Sequence, residues 1–218
     1  DRKEVESWEK LTRILTHEIM NSLAPVTSIS HTLLSSSGDA ETMRQGLETI
    51  HATSDRLLRF VDSFRAVTRI PAPQKAPFYL SELVAESLSL IPHEGIEVEV
   101  SIKPADTMLY ADRALMSQVF VNLLKNATEA LSEQEGERKI TIHSTIDAEE
   151  RIQIEFTNSG SAIPAEVAEN IFTPFFTTKT DGSGIGLAVS RQIIRLHGGS
   201  LRLKHNEEGR VTFAVVME

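Results

Sequence analysis

Residues 182–187 read Gly-Ser-Gly-Ile-Gly-Leu, and an apolar helical pattern follows them directly to about residue 197. Glycine lets a backbone approach phosphate groups closely, and the start of a helix offers free amide groups and the positive end of the helix dipole. No strand immediately precedes this turn, as in a dinucleotide fingerprint, and no Gly-Lys-Ser/Thr follows, as in a Walker A loop. The stretch therefore predicts either a phosphate-binding turn of another kind or a glycine-rich helix cap.

Strands and helices alternate on both sides of this turn, from about residue 78 onward. Alternating apolar residues predict strands at about 96–102, 108–110, 139–143, 151–156, 200–204 and 211–216, and helical periodicity predicts helices at about 80–91, 113–132 and 185–197. This mixture of elements, which ends in a hairpin, predicts an α/β sandwich in which one layer of helices covers one mixed sheet.

A second candidate site lies inside the predicted helix 113–132, where residues 122–127 read Asn-Leu-Leu-Lys-Asn-Ala. Asn122 and Asn126 are four residues apart and therefore share a helix face. Their amide oxygens are hard ligands that suit Mg²⁺. Two asparagines usually mark only a solvated face, but the apolar neighbours of this pair place it at the edge of an apolar face, where the rim of a pocket is expected.

The first 70 residues or so predict two long helices. Apolar residues recur mostly at spacings of three and four, and they are Trp8, Leu11, Leu15, Ile19, Val26, Ile29 and Leu33, then Met43, Leu47, Ile50, Leu57, Val61 and Phe64. Residues 35–39, Ser-Ser-Ser-Gly-Asp, predict a turn and an N-cap between the helices. Such a hairpin leaves one apolar face uncovered, so we expect a homodimer in which two hairpins form a four-helix bundle. The alternative is a monomeric hairpin that packs on the rest of the chain.

His17 lies two residues after Leu15 and two before Ile19, so it faces away from the apolar stripe. Glu18 is beside it, and Asn21 lies one turn further on the same face. An exposed imidazole beside a carboxylate can be oriented so that one nitrogen is held and the other attacks. A single surface histidine is nevertheless more often an ordinary solvated residue.

The overall composition and a proline-rich segment limit the possible domain organisation and function of the chain. Residues 70–77 contain three prolines, which favour an extended linker, and they divide the chain into a hairpin over 1–69 and a second domain over 78–218. The net charge of -9 argues against nucleic-acid binding. The absence of cysteine excludes disulfides and cysteine-ligated zinc. No run of about 18 apolar residues occurs, so no membrane contact is expected within this fragment.

Four stretches resemble motifs of one protein family, the bacterial histidine kinases. Residues 15–25, Leu-Thr-His-Glu-Ile-Met-Asn-Ser-Leu-Ala-Pro, resemble the H-box of these kinases. Residues 122–127 resemble the N-box, residues 172–179, Phe-Thr-Pro-Phe-Phe-Thr-Thr-Lys, resemble the F-box, and residues 182–187 resemble the G2-box. The last three motifs together resemble the ATP site of the Bergerat-type fold, which gyrase-type topoisomerases and the large heat-shock chaperones share.

The resemblance implies a two-component kinase core that uses ATP to phosphorylate His17 and passes the phosphoryl group to an aspartate in the receiver domain of a response regulator. It implies that Glu18 is the base for His17 and that Asn21 positions water for phosphatase action. Transfer to His17 from the same chain and from the partner chain both stay open. A cytoplasmic location is expected, as part of a larger sensor of the membrane-anchored kind usual in the family.

The resemblance also implies which residues surround the nucleotide. Asn126 is expected to ligate Mg²⁺, and Lys179 is expected to reach the terminal phosphates. The other residues that the motifs place at the ATP site are Asn122, Lys125, Asn158, Gly160, Phe175, Thr178, Gly182, Gly184, Gly186 and Leu187. Asn122 and Lys125 are expected near the phosphates, with the backbone of Gly182 and Gly184 wrapped around them.

One motif departs from the family pattern. The G1-box of the family reads Asp-x-Gly-x-Gly, and its aspartate accepts a hydrogen bond from the adenine amino group, whereas residues 158–162 read Asn-Ser-Gly-Ser-Ala. The Asn158 oxygen still accepts, but without charge assistance, and its amide also donates. We therefore expect ATP binding weaker by about 1 kcal/mol and looser discrimination against guanine.

Two alternatives follow from these motifs. The first is a nucleotide-impaired, phosphatase-biased or regulatory dimer, because the altered G1-box weakens the binding of ATP. The second is a Bergerat-type ATPase that drives a conformational change, although such an enzyme would lack the H-box hairpin.

Overall fold

The computed structural model of the chain describes residues 2–35, 40–132, 134, 136–179 and 182–218. In the first two helices it describes the side chains of residues 12, 13, 15–35, 40–62, 64, 65 and 68. The chain divides into two compact units, Asp1–Arg69 and Ile70–Glu218, called here the N-terminal and the C-terminal unit. None of the described helices is long and apolar enough to cross a lipid bilayer.

The N-terminal unit is a helical hairpin of α1 (Arg2–Ser35) and α2 (Ala40–Thr68). Gly46 lies at a close approach of the two helices, because a Cβ atom there would lie 2.9 Å from the Leu33 side chain. The predicted hairpin is therefore confirmed, while its pairing into a dimeric bundle stays a prediction. The predicted turn at residues 36–39 and the side chains of Trp8 and Leu11 lie outside the described part of the chain.

The C-terminal unit contains two sheets and a layer of helices. Its elements are β1 (Ala76–Tyr79), α3 (Leu80–Ser89), β2 (Glu97–Ile102), β3 (Met108–Ala111), α4 (Arg113–Leu131), β4 (Lys139–Ile146), β5 (Ile152–Asn158), α5 (Ala165–Ala168), α6 (Gly186–Leu196), β6 (Ser200–Glu207) and β7 (Arg210–Met217). The main sheet has the order β2-β4-β5-β7-β6, in which β2 and β4 are parallel and the other neighbours are antiparallel.

The prediction of a single sheet is wrong, because the unit contains a second, two-stranded sheet. Strands β1 and β3 form a separate antiparallel pair, with Phe78 opposite Leu109. Ala76 and Pro77, which the sequence analysis assigns to the linker, already lie in β1. Proline has no N–H to donate, so it fits such a two-stranded edge and gives no strand signal in the sequence. The predicted α/β sandwich is otherwise confirmed.

Helices α4 and α6 pack against each other and against strands of the main sheet, and this packing forms the core. The α4 side chain Phe120 meets Phe156 of β5 edge to face, with ring centroids 5.0 Å apart. Both side chains are fully buried, as are Leu123 and Leu124 on the same helix. This packing fixes the solvent-facing edge of α4, where Asn122 and Asn126 lie.

Candidate active site

His17 lies on α1 with its side chain 73% exposed. Its Nδ1 is 3.0 Å from Asn21 Nδ2, one helical turn away, and 3.8 Å from Glu18 Oε1. No hydrogen bond to Nε2 is formed within the described part of the chain. One ring nitrogen is therefore held by the helix, and the other is left for a second molecule or another part of the protein.

The contact with Asn21 bears on which ring nitrogen carries the proton. An amide nitrogen only donates, so Asn21 Nδ2 at 3.0 Å makes Nδ1 of His17 the acceptor and leaves the proton on Nε2. Nucleophilic attack by Nε2 requires the other tautomer, whose Nδ1 proton faces Glu18. Asn21 and Glu18 thus favour opposite tautomers of His17.

Asn122 joins α4 to the beginning of α6. Its Nδ2 donates to the Gly186 carbonyl and to Ser190 Oγ, both at 3.2 Å. A Cβ atom at Gly186 would lie 3.5 Å from Asn122 Cγ, so the two helices approach closely here. The structure thus brings Asn122 to the glycine-rich turn, where its amide nitrogen bonds to protein atoms.

Asn126 lies one turn further along α4 and is half-buried. No described residue forms a hydrogen bond with its side chain, so its amide oxygen is open to a ligand. The described residues contain no cluster of three or more histidine, aspartate or glutamate side chains that would hold a metal. One amide oxygen fits a Mg²⁺ ion whose other ligands are water and phosphate oxygens.

The F-box stretch and the glycine-rich turn are joined through their backbones. Phe175 donates its N–H to the Gly184 carbonyl at 2.9 Å. Both residues have a φ of 66°, and a Cβ atom at Gly184 would lie 2.6 Å from the Phe175 carbonyl carbon. Such a distance is shorter than van der Waals contact allows, so only glycine fits at residue 184.

Gly182 is closely packed in a similar way. A Cβ atom there would lie 2.5 Å from Thr177 Oγ1, which accepts a hydrogen bond from the Lys179 N–H at 3.1 Å. Thr178 and Lys179 are exposed, while Phe175 and Leu187 are half-buried. The predicted residues of the F-box and of the glycine-rich turn therefore lie together, at the beginning of α6.

Lys179 has a partner that sequence reasoning missed. Its Nζ forms an ion pair with Glu129 of α4, and Lys125 Nζ lies 3.8 Å from the same carboxylate. The spacing of Lys125 and Glu129 is a detectable i,i+4 signal, but the 50 residues that separate Glu129 from Lys179 give none. Glu129 therefore holds the two cations that the resemblance assigns to phosphate.

Asn158 ends β5 and is only 4% exposed. Its Oδ1 accepts the Gly160 N–H at 2.9 Å, and a Cβ atom at Gly160 would lie 2.7 Å from that oxygen. No described residue bonds to the Asn158 Nδ2. Because the oxygen faces the backbone, the free edge of the Asn158 amide is its donor edge.

Ala162, which stands where the G1-box has its second glycine, causes no backbone strain. Its φ is not in the positive region that favours glycine. Its N–H donates to Glu208 Oε2 at 3.1 Å, and the next residue, Ile163, exchanges two 2.7 Å hydrogen bonds with the Asn206 amide. The loop after Asn158 is therefore held to the β6–β7 turn by contacts that do not need a second glycine.

These features define the class of protein. A two-layer domain, with paired asparagines on one helix and an F-box stretch bonded to a glycine-rich turn at the start of another, is an ATP-binding domain. Residues 111–218 match the family of histidine kinase-, DNA gyrase B- and HSP90-like ATPases. The catalytic domain of the histidine kinase ThkA is 36% identical, with a TM-score of 0.59, over 66% of this chain and 95% of that domain.

Two further matches, one of them to ThkA again, extend over the hairpin. The sensor protein FixL of Bradyrhizobium diazoefficiens is 30% identical over 94% of this chain, which spans only 42% of the length of FixL. ThkA in complex with the response regulator protein TrrA is 29% identical, with a TM-score of 0.67, over 99% of this chain and 63% of that one. The chain belongs to the bacterial sensor histidine kinase family, as its motifs predict.

Proposed function

We propose that the chain autophosphorylates His17 with Mg-ATP and then passes the phosphoryl group to an aspartate of a response-regulator receiver domain. The observation that carries the proposal is the arrangement at His17, where Nδ1 is held 3.0 Å from Asn21 and 3.8 Å from Glu18 while Nε2 has no described partner. The same chain carries the ATP-binding domain of the family.

The reaction forms a bond between His17 Nε2 and the γ-phosphorus and breaks the bond from that phosphorus to the bridging oxygen, which leaves with ADP. The attacking ring is in the tautomer protonated on Nδ1, and Glu18 accepts that proton as positive charge develops on the ring. Bound Mg²⁺, ligated by Asn126, would neutralise charge on the phosphate oxygens. Lys179 and the backbone of Gly182 and Gly184 would hold the γ-phosphate.

Asn158 is proposed to read the base. Gly160 lies beside it and against α4, because a Cβ atom at Gly160 would lie 3.4 Å from the Ala130 carbonyl oxygen. Ala130 follows Asn126 by one helical turn and shares its face. The proposed base-reading and Mg²⁺-ligating residues therefore border the same edge of α4.

The hairpin is proposed to dimerise. None of its described apolar side chains is buried, and Met20, Leu34, Leu47 and Leu58 are 60%, 89%, 56% and 63% exposed. Two helices without a buried core are too small to be stable alone, and a second hairpin would cover these side chains in a four-helix bundle. In this proposal residues 70–75 link the dimerising hairpin to the catalytic domain, whose first strand begins at Ala76.

The partner is proposed to be a receiver domain, since the related kinase ThkA is found in complex with a response regulator. Asn21 would position a water molecule for removal of the phosphoryl group from that partner. The test is incubation of the intact chain with Mg²⁺ and ATP labelled at the γ-phosphate. Acid-labile label on the chain supports the proposal, and the absence of label from a folded, ATP-binding chain overturns it.

Replacement of Asn158 by aspartate is expected to tighten ATP binding several-fold, about 1 kcal/mol. A carboxylate keeps the hydrogen bond from the Gly160 N–H and turns its second oxygen toward the adenine amino group. The same change should weaken GTP binding, because the Asn158 donor edge suits the guanine O6 acceptor. Titration of the wild-type chain and of Asn158→Asp with ATP and GTP measures the two effects.

Ala162→Gly is the matched control, since it restores the other missing residue of the motif. ATP affinity should not change, because Ala162 has no positive φ and its N–H is already bonded to Glu208. ATP affinity that is unchanged or weaker in Asn158→Asp would contradict the base-reading role. Wild-type ATP binding too weak to measure would favour the phosphatase-biased alternative.

Replacement of Glu129 by glutamine is expected to strengthen ATP binding by up to about five-fold, the range of an exposed ion pair. The phosphates compete with the Glu129 carboxylate for Lys179, and the neutral amide competes less. Titration with ATP checks this, and Glu94→Gln, which removes the same charge from an exposed site, is the control. Weaker ATP binding in Glu129→Gln would show that the carboxylate supports the site instead.

A further inference from the structure

The segment that precedes β1 is attached to a small cluster of polar groups in the C-terminal unit. Gln74 donates its backbone N–H to Asp112 Oδ2 at 2.8 Å. The next residue, Lys75, donates from Nζ to the His197 carbonyl at 3.4 Å. Asp112 and His197 are distant from this segment in sequence, so these contacts exist only in the folded unit.

The two carboxylate oxygens of Asp112 accept hydrogen bonds from two different structures, the first turn of α4 and the segment before β1. Oδ1 accepts the N–H groups of Ala114 and Leu115, both at 3.1 Å, and so caps α4. Oδ2 accepts the Gln74 N–H. The Gln74 and Leu115 N–H groups hold the pKa of the Asp112 carboxyl below its usual range, so the carboxylate is ionised when both structures are bound to it.

His197 connects the same point to the end of α6. The side chain is 4% exposed, and its Nδ1 lies 2.8 Å from the Ile193 carbonyl, to which it can only donate. Nε2 lies 3.0 Å from the Asp112 N–H, from which it can only accept. Neutral imidazole protonated on Nδ1 is the one form that satisfies both contacts.

The two helices that meet here are the helices of the proposed ATP site. Helix α4 begins directly after Asp112 and carries Asn122 and Asn126, and α6 ends directly before His197 and begins at Gly186. A displacement of the segment at residue 74 would therefore shift both helices, and with them the residues proposed to bind the nucleotide. Within the described part of the chain, no hydrogen bond of Asp112 or His197 reaches a residue that the motifs assign to ATP.

We propose that Asp112 and His197 are positioning residues that fix the connecting segment to both ATP-site helices and thereby set the rate of phosphoryl transfer to His17. The inference rests on the proposed function, because it concerns a transfer between the two units. A cluster that only supported the ATP-site helices would change the transfer rate and ATP affinity together. A positioning cluster changes the transfer rate while ATP affinity stays constant.

Asp112→Asn separates these two roles. Asparagine keeps the Oδ1 cap of α4 and the backbone N–H that His197 accepts, but its amide nitrogen cannot accept from Gln74. In the intact chain we expect the rate of His17 labelling to fall about ten-fold, within the usual range of coupling between sites. ATP affinity should stay within about two-fold of wild type, while the thermal midpoint should fall only by what one lost hydrogen bond to a carboxylate costs.

Two further comparisons complete the test. Gln74→Pro removes the other partner of the same hydrogen bond, so it should slow labelling to the same extent, and the double variant should be no slower than either single one. His197→Leu should slow labelling, and His197→Gln, which keeps an acceptor for the Asp112 N–H, should recover part of the rate. Lack of any recovery by His197→Gln would count against its positioning role.

The outcomes are distinct. Wild-type labelling speed in both Asp112→Asn and Gln74→Pro would overturn the inference and leave the proposed function intact. Loss of ATP affinity in parallel with the labelling rate would also overturn it, because the cluster would then only support the ATP site. Absence of label in the wild-type chain would instead be a failure of the proposed function.

Discussion

Replacement of His17 by glutamine is expected to remove all acid-labile label from the chain after incubation with Mg-ATP labelled at the γ-phosphate. Glutamine has no nucleophilic ring nitrogen, and its flexible amide cannot hold the place of an imidazole whose Nδ1 is fixed beside Asn21 at 3.0 Å. ATP affinity should be unchanged, because His17 belongs to the N-terminal unit and the proposed ATP site to the C-terminal unit.

His31→Gln is the matched control, since His31 is also exposed and lies on the same helix. This variant should incorporate label at the wild-type rate. Label that persists in His17→Gln with the same acid lability would place the phosphoryl group on another residue. The same result in a double variant with His31→Gln would exclude both histidines of α1.

Replacement of Gly184 by alanine is expected to weaken ATP binding at least about 100-fold, because sub-ångström errors in a positioned phosphate site are costly. A Cβ atom at this residue would lie 2.6 Å from the Phe175 carbonyl carbon and 2.7 Å from the Phe176 carbonyl oxygen. Backbone atoms cannot move aside as a side chain does. The 2.9 Å hydrogen bond from Phe175 to Gly184 would break, and the turn would lose its shape.

Gly95→Ala separates this steric effect from backbone strain. Gly95 has a φ of 73°, close to the 66° of Gly184, but a Cβ atom there would meet nothing within 4 Å. The control should lose about 1 kcal/mol of stability and no ATP affinity. Titration with ATP and thermal unfolding measure both variants, and ATP affinity within a few-fold of wild type in Gly184→Ala would contradict the close packing of this turn.

Most of the main sheet could be predicted from local patterns, but the small sheet could not. Strands β4 and β5 show clear alternation, and they pair with each other across a short connection. Strand β1 has four residues and contains Pro77, so it shows no strand period of its own, whereas β3 is predicted at 108–110 but without its partner. Their pairing depends on the burial of Phe78 and Leu109 beneath them, which only the assembled helices provide.

The candidate site shows the same division. Helix geometry alone places His17, Glu18 and Asn21 together, because residues up to four apart on a helix are neighbours whatever surrounds them. It also places Asn122 and Asn126 on one face of α4. Residue types alone also predict the phosphate-binding turn, since a glycine-rich turn before a helix is suited to phosphate in any context.

Other properties depend on contacts between residues far apart in the chain. Packing of the F-box stretch against α4 pairs Lys179 with Glu129, 50 residues away, and this contact has no local signature. The direction of the Asn158 amide follows from the backbone N–H of Gly160. The hydrogen bonds that join Gln74, Asp112 and His197 follow from where α4 begins and α6 ends. The sequence thus determines which chemical groups are present, and local chain geometry determines which near neighbours they face. Long-range packing decides which of those groups are already bonded and which are left free to act.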